Sequence, residues 1–504
     1  MKKAVLILTV LLCGITIIFI AHRFKPQLQQ QLNQLLPPVT PPAPPKKIVW
    51  MNIFIHGSFG SLLGLISLPN VLKDQVHGTT YRGLNKNMRD DIFFFQSQPI
   101  LERGIQAITP TFHLPEQPTN RYAAYPITKA FDELIRISLH GDFEQLYYTF
   151  GWSGLISQHR RRFEAIRFYN ALQEEIAALR AKNIEPRIRL LAHSHGGNIC
   201  LNLGAIVPIM HTKTFNDFHK YSLDPAADEA IRKMLTIIKS LPTQELASSN
   251  EGQKKYDYVP TAKDLEVEEL IMLGTPIQAE TEHFLNSPVF KRVYNIYSEA
   301  DVIQQMDWVS TKNQKSKQRA DIQPLQKTSL PRLIQVKVMY ERKVEKKPDK
   351  EIWQVVKNDP THETSLVDSL LGTRMPSKDP DHRKLWFLGS DKETPDGTES
   401  FLYPLPTVIF LPPILALLEK NPAQADVDVN IALEEKEVIF YLTKHDDNVV
   451  LATSKLPRSL LNEIQEHVAP WVPKNTTARK EFDVIYRHLT KSNQPHDKPL
   501  QQQP

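Results

Sequence analysis

Ser194 stands between two histidines and ahead of two glycines, in the run Pro186-Arg187-Ile188-Arg189-Leu190-Leu191-Ala192-His193-Ser194-His195-Gly196-Gly197-Asn198-Ile199-Cys200. A serine hydroxyl is a poor nucleophile until an imidazole takes its proton. The imidazole in turn needs a carboxylate to fix its tautomer and to stabilise the imidazolium. The adjacent His193 and His195 are read as packing and oxyanion-loop residues of this turn, not as the base. Ser153, in Gly151-Trp152-Ser153-Gly154, is a rival nucleophile, but its glycines have the spacing of a strand-end turn. A zinc site of His56, His193 and His195 is the competing chemistry. Nothing in the chain matches His-Glu-x-x-His or a paired-cysteine pattern, so no metal and no cofactor is expected.

The elements that must hold Ser194 follow from the flanking residues. The apolar run ending at Ala192 has strand length and begins just after a proline. Beyond the turn, Ile199, Cys200, Leu203, Ile206 and Val207 recur at helical spacing. A strand, an abrupt turn at the serine and a helix bring two backbones very close, which demands small residues beside the serine.

Ala192-His193-Ser194-His195-Gly196 resembles the G-x-S-x-G nucleophile elbow of the α/β-hydrolase superfamily, with alanine at the first small position. Other phrases are similar to those of its lipases, in the same order. His56-Gly57-Ser58 follows an early strand (residues 48–55), Leu273-Gly274-Thr275-Pro276 ends the strand after the elbow, and Thr361-His362-Glu363-Thr364 lies on a late loop. The resemblance covers roughly residues 48–370. It implies a mainly parallel α/β sheet and a chain order of serine, acid, histidine. That order selects Asp301, just past a strand end, over its rivals Glu299 and Asp307, and selects His362 as the base. It also implies that the amides of His195 and of the Gly57-Ser58 loop form the oxyanion hole. The expected activity is serine ester hydrolysis, on a lipid or other acyl substrate, through an acyl-serine intermediate. The same fold carries acyltransferases, peptidases and inactive interaction proteins, which remain the alternatives.

Further strands are predicted at residues 146–150, 268–273, 292–297 and 333–340, with residues 352–356 pairing back as a hairpin. A helix is predicted from Phe163 to Leu179, with Arg160, Arg161 and Arg162 on a solvated face. Insertions at 61–144 and 208–265, the latter with a helix at 226–241, are expected to cap the site. Residues 376–490 read as a small C-terminal α+β extension, with alternating strands between 426 and 453 and helices near 459–467 and 477–489. Residues 491–504 read as a disordered tail.

The chain has 504 residues, 41% hydrophobic and 23% charged, which suits a large globular fold. A formal net charge of +5 gives no case for nucleic-acid binding, and two cysteines supply no disulfide framework. Residues 4–21 are uncharged and apolar; as a helix they would span about 27 Å, close to a bilayer core. They lack a small-residue cleavage pattern, so residues 1–25 are expected to be an uncleaved membrane anchor. Lys2 and Lys3 on one side and Arg23 and Lys25 on the other leave the orientation balanced. Residues 26–47 are a Gln/Pro-rich linker, whose prolines favour a semi-rigid extended spacer.

Overall fold

In a computed structural model, the described residues are 25, 46–58, 104–112, 123–139, 143–152, 154, 157–211, 225–244, 256–261, 264–301, 304, 316–321, 332–340, 343–346, 353–356, 379–389, 401–445 and 449–472. The apolar run at 4–21, the C-terminal tail and the helix expected at 477–489 lie outside them. Among the described residues, no helix is long and apolar enough to cross a membrane.

The described residues from Ile48 onward form one compact unit, built on a mixed, mostly parallel sheet of ten strands with helices on its faces. The strands are β1 (Lys47–Ile55), β2 (Ile105–Ile108), β3 (Glu144–Phe150), β4 (Ile184–His193), β5 (Val267–Leu273), β6 (Phe290–Tyr297), β7 (Leu333–Tyr340), β10 (Asp426–Leu433), β11 (Glu437–Lys444) and β12 (Val450–Pro457). Their order across the sheet is β12-β11-β10-β7-β6-β5-β4-β1-β3-β2. A separate antiparallel pair joins β8 (Lys343–Lys346) to β9 (Trp353–Val356). The hairpin expected around 352–356 therefore pairs with its own short partner and not with β7.

The helices are α1 (Ala124–Ser138), α2 (Gln158–Ala181), α3 (His195–Leu201), α4 (Leu203–His211), α5 (Pro225–Lys239), α6 (Leu411–Lys420) and α7 (Arg458–Val468). Both faces of the sheet are covered, and side-chain alternation divides each strand between them. In β5, Leu270 and Met272 pack with α2, α4 and α5, whereas Ile271 and Leu273 pack with α1, α6 and α7. Each large aliphatic side chain buried this way contributes about 1.5–3 kcal/mol relative to exposure.

Three expectations change. The strands of the C-terminal region are not a separate sheet: β10 runs parallel to β7, Val427 opposite Val336, and carries β11 and β12 onward. Their inward apolar residues Val429, Ile431, Phe440 and Leu442 join the same core as Leu273 and Ile296. Second, the described parts of both insertions belong to the layers of the fold. β2 closes the edge beside β3, α1 covers one face, and α5 lies in the core with α2 and α4. Third, Arg161 and Arg162 are buried. Residues 256–258 cross this helix, with Tyr256 and Tyr258 offering their carbonyls to the Asn170 amide at 3.0 and 2.8 Å. The charges of α2 therefore pair inside: Arg160 and Arg167 with Glu164, Arg167 also with Asp257 at 2.6 Å, and Arg161 with Gln278 at 2.8 Å.

Chain order sets where a site can form. β1 leads to β3 on one side of it, and the chain then crosses back to lay β4 on the other side. The strand order thus reverses between β1 and β4. The carboxyl ends of strands flanking such a reversal leave an open crevice in α/β sheets. Gly57 follows β1 and Ser194 follows β4.

Candidate active site

Ser194 has φ 51° and ψ −132°, one of two non-glycine residues with positive φ among those described. Holding a side chain there costs about 1–3 kcal/mol, so the surroundings must over-determine the turn. They do. The Ser194 amide donates to the Leu273 carbonyl at 2.9 Å, tying the turn to β5, and its own carbonyl accepts from Gly197 at 3.0 Å. α3 starts at once and passes directly over the end of β1. A Cβ on Gly196 would stand 2.6 Å from the His56 carbonyl oxygen and 2.8 Å from that of Ile55. Only glycine allows this crossing, and that is the strand–turn–helix expected of the sequence.

Gly57 lies beside the serine: a Cβ there would meet the Ser194 Cβ at 2.7 Å. Its loop is held by His56. The Trp152 amide donates to His56 Nε2 at 3.1 Å, so the proton sits on Nδ1, which donates to the Gly57 carbonyl at 2.8 Å. The Trp152 indole N–H closes on the His56 carbonyl at 2.7 Å, and the two rings stack. Burial pushes the His56 imidazole down to about 4, so it stays neutral and its tautomer is fixed. Ser153, next to this tryptophan, lies outside the described residues. His195 opens α3, buried, with its Nδ1 3.4 Å from the Asn198 amide nitrogen. Asn198 also donates to the Pro276 carbonyl at 3.0 Å and accepts from Thr281 at 2.5 Å, which joins the elbow helix to the loop after β5.

Asp301 is fully buried four residues after the end of β6. Its loop is braced from several sides. Its Oδ1 accepts from the Gln304 amide at 3.2 Å, and its carbonyl accepts from the Gln318 side chain at 2.8 Å. Glu299 is turned away, paired with Lys337 at 2.5 Å, and Asp307 lies outside the described residues.

The partner of Asp301 is His382. Its Nδ1 is 2.8 Å from Asp301 Oδ2. The histidine expected from sequence, His362, lies outside the described residues, and the place on the carboxylate is taken by a histidine twenty positions later. His382 sits on a tight turn over residues 381–386, closed by the Leu385 amide on the Asp381 carbonyl and by the Trp386 amide on that of Arg383. Asp379 anchors the turn to the end of β7, accepting from the Tyr340 amide at 2.8 Å. Leu385, Trp386, Phe387 and Leu388 bury themselves in the core behind it. That apolar run, separated from Asp381-His382 by two residues, was the available signal: it marks a loop pulled onto the core, which a random surface histidine would lack.

The two halves meet. A Cβ on Gly274, one residue beyond the carbonyl that fixes Ser194, would stand 2.8 Å from Asp301 Oδ2 and 3.2 Å from His382 Nδ1. The ring of His193 lies 4.6 Å from that of His382, centroid to centroid. An ionised carboxylate can only accept, so His382 carries its proton on Nδ1 and presents Nε2 as a base. A strained serine, a buried carboxylate and an imidazole, in chain order 194, 301 and 382, are the groups that proton transfer from a hydroxyl would require. Among the described residues, no group of His, Cys, Asp and Glu is arranged to hold a metal ion.

No protein-family model matches the chain, and comparison with curated proteins and with solved structures finds no match.

Proposed function

We propose that this protein is a serine hydrolase of α/β-hydrolase type that cleaves a carboxylic ester of a lipid or other acyl substrate, tethered to a membrane by its N-terminal apolar run. The observation that carries the reading is the buried Asp301–His382 hydrogen bond beside the strained turn at Ser194. A lone positive-φ serine or a lone Asp–His pair has structural explanations; the two side by side, at the carboxyl ends of strands flanking an order reversal, fit acyl transfer.

In the proposed mechanism, His382 Nε2 takes the Ser194 hydroxyl proton as Oγ attacks the ester carbonyl carbon. Asp301 holds the imidazole in the Nδ1–H tautomer and stabilises the imidazolium that forms. The developing oxyanion is held by backbone amides of His195 and of the Gly57-Ser58 loop, which His56 and Trp152 fix in place before substrate arrives. The imidazolium then gives its proton to the departing alkoxide, leaving an acyl-Ser194. Water, deprotonated by the same nitrogen, releases the acid. Donors set in advance need no reorganisation during reaction, which is why a pinned loop serves here.

Labelling the full chain with a fluorophosphonate and mapping the adduct by mass spectrometry tests the chemistry; an adduct on Ser194 is expected, and no adduct overturns the reading. Turnover of long-chain p-nitrophenyl esters above acetate supports an acyl-lipid substrate, and activity confined to acetate or peptides counts against it. The anchor is tested separately, by retention in the membrane fraction through alkaline carbonate washing.

A further inference from the structure

His193 ends β4, one position before the nucleophile, and its side chain reaches the histidine turn. Its Nε2 is 3.0 Å from the carbonyl oxygen of His382. A carbonyl only accepts, so Nε2 carries the proton and Nδ1 carries a lone pair. That Nδ1 is buried and has no hydrogen-bond partner. Burial, and then the neighbouring His382, holds the ring well below the ordinary histidine range, so it stays neutral. Trp386 stacks on one face at 5.4 Å, and Phe387 meets the ring edge-on at 5.6 Å.

Packing alone does not explain an imidazole in this place. A phenyl ring would stack on Trp386 equally well and would leave no orphaned nitrogen, whose burial costs about 1–3 kcal/mol. What a phenyl ring lacks is the N–H. The turn closes its own hydrogen bonds on the carbonyls of Asp381 and Arg383, and the His382 carbonyl is met by His193.

We infer that His193 is a positioning residue, whose Nε2–H grips the backbone carbonyl of His382 and ties the catalytic histidine to the strand that carries the nucleophile. The inference rests on the reading of Ser194, Asp301 and His382 as a triad. Asp301, from the loop after β6, fixes the ring of His382; His193, from the end of β4, fixes its main chain. Two tethers from two strands set the distance between Nε2 and the serine. A base displaced by about 1 Å loses roughly 10²-fold in rate.

The amide nitrogen of glutamine reaches the position of imidazole Nε2, and that of asparagine the position of Nδ1. Three variants of the full chain therefore separate shape from the N–H. His193→Phe is expected to lower kcat and the fluorophosphonate labelling rate by roughly 10²-fold with KM little changed. His193→Gln should recover most of that loss, and His193→Asn should not. Labelling of His193→Phe at the wild-type rate would overturn the inference. Equal losses in His193→Phe and His193→Gln would overturn it too, by assigning the effect to the ring's packing. If His193→Phe fails to fold, the comparison of His193→Gln with His193→Asn decides, and equal rates sink the idea. A wild-type chain that takes no label is a different result, which removes the triad reading itself.

Discussion

The two halves of the site are built in opposite ways. The residues of the elbow are contiguous, β4, Ser194 and α3 in succession, and its glycines permit the crossing over β1 that, with the Ser194 amide's bond to Leu273, holds the strain. The acid–histidine half is assembled from afar. Asp301 and His382 are 81 positions apart, and each depends on further segments, Gln318 for the Asp301 loop and Tyr340 for the His382 turn. The difference teaches where each half is vulnerable. The elbow fails through sterics at one point, and the histidine half fails through loss of any of several tethers.

Under the proposed mechanism, the largest effects come from the triad residues on either side. Ser194→Ala is expected to abolish labelling and lower turnover by roughly 10⁴–10⁶-fold while the fold survives, since the backbone bonds that hold the turn do not involve the hydroxyl. His382→Ala should cost nearly as much, because the hydroxyl keeps its proton, and His362→Ala should cost little. Steady-state turnover of both histidine variants checks this, and the reverse outcome would detach the base from the Asp301 partner seen here. Asp301→Asn should cost somewhat less, on the order of 10⁴-fold, through the wrong imidazole tautomer.

Smaller effects fall on stability and separate the halves further. Gly196→Ala forces a methyl against two fixed carbonyls and should destabilise by about 1–3 kcal/mol, or more if the backbone cannot yield. Urea unfolding measures this; an unchanged midpoint would deny the close crossing. Acidification should weaken the elbow's support as well. His56 is held at about 4, below its ordinary 6.5, so between those values the unfolded chain binds a proton that the folded chain refuses. Stability then rises with pH across that window, and is lost on acidification by about 3 kcal/mol from His56, with His193 acting in the same direction. Thermal unfolding from pH 7.5 down to 4.5 reads the slope, and His56→Gln should flatten part of it.

The amino-acid sequence by itself determined the elbow and the parallel strands around it, and it placed Asp301 among the carboxylates just past a strand end. Each of these is written in neighbouring residues: an apolar run of strand length, small residues where two backbones cross, a carboxylate just past a strand end. Tertiary structure decided the rest. It placed β10, β11 and β12 on the main sheet, because the inward faces of alternating strands look the same whether they extend an existing sheet or begin another. It buried Arg161, because only a distant segment, here the loop after β5 whose Gln278 oxygen accepts from the guanidinium, tells a charged helix face that it is inside. And it set His382 on Asp301, because a hydrogen bond across 81 positions leaves no spacing to read; what fixes it is the burial of Leu385 to Leu388 and the two strands whose ends reach the turn.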